Sequence, residues 1–139
     1  MSGLSDFNNQ VIEEFRANKG VVGGHFANAH VALVHHVGRK SGQERITPLL
    51  YLPYDGAYVF MGSAGGAPKT PAWFLNLEAA DTVTIEVGEQ TLTTKPTIIR
   101  QGPEWLRIYT QFTQYWPDIY TYEEKTERRF PFARLDPVG

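Results

Sequence analysis

Two turn signals constrain the fold of this chain more than any other feature. Asp55-Gly56 separates the apolar run ITPLLYLPY (46–54) from AYVFMGSA (57–64), and Gly88-Glu89-Gln90 separates TVTIEV (82–87) from TLTTKPTIIR (91–100). A glycine at such a position supplies the positive φ that a tight return between two strands requires. The β-branched run HVALVHHV (30–37) reads as another strand and FPFARL (130–135) as the closing one. Strands returned by short turns pair antiparallel, so the runs at 30–37, 46–54 and 57–64 predict a three-stranded meander. Pro48 cannot donate to a ladder, which restricts its strand to a sheet edge or its residue to a strand start.

Helical periodicity fills the gaps. Phe7, Val11, Ile12 and Phe15 share one face over residues 6–18, predicting an amphipathic helix that stops near Gly20. Packing against a sheet is its expected use, and contact with a membrane surface or a partner is the alternative. AWFLNLEAA (72–80) follows Pro71 as a short helix, and PEWLRIYTQFTQYW (103–116) opens on Pro103 and ends before Pro117. IYTYEEKTERR (119–129) reads as one more short helix. Five or six strands with three or four short helices predict an α+β, mainly β fold, an antiparallel barrel with helical additions. No G-x-G-x-x-G follows a strand, so a dinucleotide-binding fold is a poor fit.

At 139 residues the chain suits one domain, 1–139, with a helix over 1–20 and the barrel over 30–137. A net charge of −2 gives no global field for nucleic acid, so any anion site must be a local cluster. The absence of cysteine excludes thiolate catalysis, disulfides and zinc–sulfur or iron–sulfur centres. The first residues carry neither a basic start nor an apolar core, and no run reaches the ~18 apolar residues of a membrane span. A cytoplasmic protein, with peripheral membrane contact at most, is the expectation.

HHVGRKSGQERITPL (35–49) contains the first chemical signal. Gly38 and Gly42 permit unusual backbone angles and bracket Arg39, Lys40 and Ser41, with Arg45 just beyond. Converging amides and these side chains are the parts of an anion cradle; a merely solvated turn is the alternative. The Walker order is absent. MGSAGGAPKTPAWFLNL (61–77) is the second signal. Gly62, Gly65 and Gly66 beside Met61, Ser63 and Ala64 would let a flat ligand approach the backbone, Lys69 adds a cation, and Trp73 and Asn76 share a face of the following helix. Core packing for Trp73 and a helix-end cap for Asn76 are the plain alternatives. His35 and His36 point to opposite faces of a strand, and His25 and His30 lack acidic partners at ligand spacing, so no metal site is expected.

GRKSGQERITPLLYL, GSAGGAPKTPAWFLNL and YWPDIYTYEEKTERRFPFARLDP, in this order from about His30 to Pro137, resemble the deazaflavin-dependent nitroreductase family. The resemblance implies a split β-barrel oxidoreductase that uses coenzyme F420. Gly38, Arg39, Lys40, Ser41, Gly42 and Arg45 would then hold the phosphate and glutamyl arm, with Thr47 and Pro48 flanking its path. Met61, Gly62, Ser63, Ala64, Gly65 and Gly66 would wrap the deazaflavin ring, Trp73 and Asn76 would wall it and hydrogen-bond it, and Lys69 would assist. Many relatives carry a lysine where this chain has Ala64. Relatives that reduce bicyclic nitro compounds carry tyrosines where Trp116 and Ile119 stand, and only Tyr122 is kept.

The implied reaction is hydride transfer to an apolar acceptor such as a quinone, nitro compound or activated enone. Ser63, Tyr122 or solvent would deliver the accompanying proton, and Tyr51, Trp116, Ile119, Tyr120 and Tyr122 would line the acceptor pocket. A non-catalytic F420 carrier and an FMN-binding split barrel are the other readings of the same residues. Monomer and homodimer both remain open.

Overall fold

The computed structural model describes residues 3–23, 29–63, 66 and 69–138, with side chains from Asn8 onward. The chain runs α1 (Gly3–Ala17), β1 (Val31–Val37), β2 (Glu44–Leu50), β3 (Leu52–Tyr54), β4 (Ala57–Met61), α2 (Ala72–Ala79), β5 (Val83–Val87), β6 (Gln90–Ile99), α3 (Pro103–Tyr115), α4 (Asp118–Glu123) and β7 (Phe132–Pro137). All strand pairs are antiparallel, in the order β2-β1-β5-β6-β7-β4-β3.

The expected meander does not form. The run 46–54 breaks at Tyr51, and its halves, β2 and β3, occupy the two opposite edges of the sheet. Tyr51 turns its ring into the core, at 8% exposure, and its amide donates to the carbonyl of His30. Because a single residue joins the two edges, the sheet must curl until they meet at that corner. That curl makes the split barrel. Pro48 and Pro53 fall on these edge strands, where a missing N–H interrupts least. Pro96 lies further in, yet β6 pairs with β5 only as far as Thr94 before continuing along β7. The Thr94 hydroxyl, fully buried, donates to the Val83 carbonyl at 2.7 Å where the partner changes.

Period-two alternation sends neighbouring residues to different cores. Phe60, Val34, Ala133 and Leu135 meet Phe74 and Leu77 of α2 on one side of the sheet. Val59, Met61 and Phe132 meet Ile108 and Phe112 of α3 and Ile119 of α4 on the other. Each fully buried large side chain contributes about 1.5–3 kcal/mol of transfer free energy. A third cluster joins Val11 and Phe15 of α1 to Val22, Val31 and Leu33. The described apolar face of α1 is therefore covered by the sheet, and Arg16 fastens it further by a bidentate contact to Glu86 on β5, at 2.7 and 3.1 Å. Among the described residues, no helix is long and apolar enough to cross a membrane.

Candidate functional site

The turn between β1 and β2 closes on itself. Gly38 N–H donates to the Gln43 carbonyl at 2.9 Å, Gly42 N–H to the Gly38 carbonyl at 2.8 Å, and Gln43 N–H to Ser41 Oγ at 3.2 Å. Gly42 uses its freedom directly, with φ at +73°. Gly38 does not: a side chain there would collide with the Ser41 hydroxyl, so close approach is what it provides. The expectation of several amides converging on an anion is therefore narrowed. Most hold the turn's shape, and among the described residues only those of Lys40 and Ser41 lack a partner.

The charge of the turn is carried by side chains. Arg39, Lys40 and Arg45 are exposed, and among the described residues none of them forms an ion pair, whereas Arg16, Arg100 and Arg134 all do. Unpaired cations crowded on one turn repel one another, and a bound anion relieves that repulsion.

α2 is held beneath the turn through a buried polar chain. Arg39 N–H donates to Asn76 Oδ1 at 3.1 Å, Asn76 Nδ2 lies 2.9 Å from His36 Nδ1, and His36 Nε2 lies 2.9 Å from Thr47 Oγ1. His36 and Asn76 are both nearly inaccessible. Burial, then the charges of Arg45 and His35, hold His36 below its ordinary pKa, so the ring is neutral. Asn76 is thus not a helix-end cap: its Oδ1 accepts from the Arg39 amide and its Nδ2 faces His36, both within the protein.

At the other side of α2 stands the loop after β4. Phe74 fills the space where a side chain on Gly62 would sit, together with Pro131, and Trp73 packs edge-on against Phe74 at 5.7 Å. Gly66, with φ at +92°, presses against the carbonyl of Tyr122. These two glycines are demanded by packing from within the protein. Arg128 spans the loop, Nη1 donating to the Gly62 carbonyl at 2.9 Å and Nη2 to that of Ser63 at 2.8 Å. Desolvation holds its guanidinium below the ordinary arginine pKa. Ser63 itself is half-buried, and its hydroxyl has no partner among the described residues.

The turn meets α2 through Arg39 and Asn76, α2 meets Gly62 through Phe74, and Gly66 lies against the carbonyl of Tyr122. Trp116 Nε1 donates to the Tyr122 hydroxyl at 3.3 Å, leaving that O–H able to donate in turn. Other expected residues stand apart. Met61, at 8% exposure, points into the α3 core, and Pro48 is buried in β2. Ile119 is buried in the α3–α4 core and is packing, not pocket lining, whereas Tyr120 is exposed. Tyr51 lies in the α2 core, where burial raises its phenol pKa. Lys69 is exposed, and Ala64 and Gly65 lie outside the described residues, as does His25. Among the described residues no cluster could hold a metal.

Sequence reasoning missed two residues. His36 reads in the sequence only as half of an unsuitable metal pair, although strand register puts it on one face with Arg45 and Thr47. Arg128 lies within the YWPDIYTYEEKTERRFPFARLDP stretch of the family resemblance, but nothing local indicates its carbonyl partners at Gly62 and Ser63.

Residues 8–137 match the family model of the F420H(2)-dependent quinone reductases. The chain belongs to this family. An F420H(2)-dependent quinone reductase of Mycobacterium tuberculosis is 32% identical over 125 residues, covering 87% of this chain and 83% of the relative. Among solved structures, an F420-H2 dependent reductase superposes with a TM-score of 0.68 at 29% identity, over 76% of this chain and 93% of the other. A domain-swapped dimer superposes with a TM-score of 0.71 at 26% identity, over 95% and 98%. Membership in the F420H(2)-dependent quinone reductases agrees with the curled antiparallel sheet and its short helices.

Proposed function

We propose that this chain binds reduced coenzyme F420 across α2 and passes its hydride to a quinone, working as one split-barrel unit over residues 1–139. One observation carries the reading. The same short helix is tied through Asn76 to a turn of unpaired cations and, through Phe74, to the loop that the family resemblance assigns to the ring.

Bound reduced coenzyme supplies a hydride. Arg39 and Arg45 offer guanidinium forks for the anionic arm, Lys40 adds a point charge, and the amides of Lys40 and Ser41 add directed donors. Half-buried Ser63 and Trp73 provide the partly exposed surface beside the ring loop. Reducing a quinone to its hydroquinone takes one hydride and one proton. Tyr122 Oη, already accepting from Trp116, holds a proton it can donate, and Ser63 Oγ is the second donor of the surface.

A neighbouring fold that is a domain-swapped dimer supports a homodimer, which light scattering behind gel filtration tests; a monomer mass would refute it. A cytoplasmic location belongs to the same proposal. The function itself is tested by mixing protein, reduced coenzyme and menadione and following the deazaflavin absorbance. Turnover is expected. No oxidation across quinone, nitro and enone acceptors would refute the reading.

A further inference from the structure

We infer that His36 is a positioning residue for the coenzyme arm: its neutral ring locks Asn76 onto the basic turn, and protonation of that ring unlocks it. The inference rests on the placement of the arm at the turn proposed above.

The hydrogen bonds admit one protonation state. The Arg39 amide can only donate, so Asn76 must present Oδ1 to it at 3.1 Å. Its Nδ2 then faces His36 Nδ1 at 2.9 Å and donates, which requires Nδ1 to be bare. The ring proton is left on Nε2, 2.9 Å from Thr47 Oγ1, which accepts it. Thr47 must turn its own hydroxyl hydrogen elsewhere, away from the ring. Every polar atom of this buried set is satisfied.

A second ring proton breaks the chain. Nδ1–H and Nδ2–H would then face each other across a hydrogen-bond distance. Rotating the Asn76 amide relieves that clash, but it turns Nδ2 toward the Arg39 amide and so opposes donor to donor there. In either arrangement the turn loses its tie to α2. The groups facing His36 are Asn76 from α2, Thr47 and Arg45 from β2, and His35 beside it on β1; the charged ones act against the imidazolium. Since neutral His36 keeps the turn in place, coenzyme affinity should fall as the pH drops below the ordinary histidine range.

The test titrates wild type and His36→Phe with coenzyme F420 from pH 7.5 to 5. Taking the ratio of their dissociation constants cancels titration of the coenzyme itself. The expected ratio is about tenfold in favour of wild type at pH 7.5, the scale of one lost hydrogen bond with a buried partner left unsatisfied, and it should shrink toward unity at pH 5. Asn76→Asp supplies a second variant. Its carboxylate can accept from both the Arg39 amide and a protonated Nδ1, so the loss of affinity at acid pH should disappear. Long-range 1H–15N NMR of the wild-type imidazole, without coenzyme, should show the Nε2–H tautomer at neutral pH. An Nδ1–H tautomer, or a ratio constant with pH, would overturn the inference alone if Arg45→Ala still weakens binding. Unchanged affinity in Arg45→Ala would overturn the arm's placement, and this inference with it.

Discussion

Arg128 clamps Gly62 from the far end of the chain: its guanidinium donates at 2.9 Å to the Gly62 carbonyl and at 2.8 Å to the carbonyl of Ser63. A planar fork meets two successive carbonyls that a lysine could reach only one at a time. Arg128→Lys is expected to cost about 1.5–3 kcal/mol, the range for hydrogen bonds to a charged group. Urea denaturation measures the cost. Coenzyme titration should show weaker binding in the same variant, because the loop it shapes is freed.

Gly66 and Gly42 both adopt positive φ, yet their surroundings differ. Gly66 has the Tyr122 carbonyl where a side chain would go, whereas Gly42 has open space. Gly42→Ala therefore bears only the backbone cost of about 1–2 kcal/mol, and Gly42→Asn should recover part of it. Gly66→Ala adds a steric clash and should be the more destabilising. Thermal melts of the three variants check the order, and equal losses at both glycines would contradict it.

Glu86 anchors α1. Its hydrogen bond from Arg16, ahead of the weaker influence of His35, holds the carboxyl below its usual pKa of 4.5. The unfolded chain thus binds the proton more readily than the folded one. The stabilisation is complete above the unfolded value and is lost as the pH falls through the lower, folded one. Arg16 is half exposed, so the pair should contribute at most about 1 kcal/mol. Melting temperatures of wild type and Glu86→Gln should differ at pH 6 and converge toward pH 3.5.

Arg45 lies opposite His36 across the β1–β2 ladder, exposed and without an acidic partner among the described residues. Arg45→Ala should weaken coenzyme binding by about 1.5–3 kcal/mol while leaving the melting temperature nearly unchanged. The wild-type affinity should also fall with added salt, since the contact is solvent-accessible. An affinity independent of both changes would remove Arg45 from the cradle.

Local patterns were readable because they carry local physics. Asp55-Gly56 and the β-branched runs mark their hairpins, and Pro71 and Pro103 mark helix starts. The split of 46–54 was not readable. ITPLLYLPY is apolar throughout, so nothing in it signals that Tyr51 turns the chain from one sheet edge to the other; that corner is imposed by β7 pairing between β6 and β4. The basic turn was visible as a charge cluster, but its tie to Asn76 joins residues far apart in sequence. The packing demand on the glycines after β4 was not readable. Phe74, Pro131 and Tyr122 require them, and those partners are known only once the chain is folded.

The most direct test of the account is a crystal structure of the protein with coenzyme F420. The account predicts the phosphate within hydrogen-bonding distance of the Arg39, Lys40 and Arg45 side chains, with the deazaflavin ring against Ser63 and Trp73. An arm bound away from the 38–45 turn would contradict it.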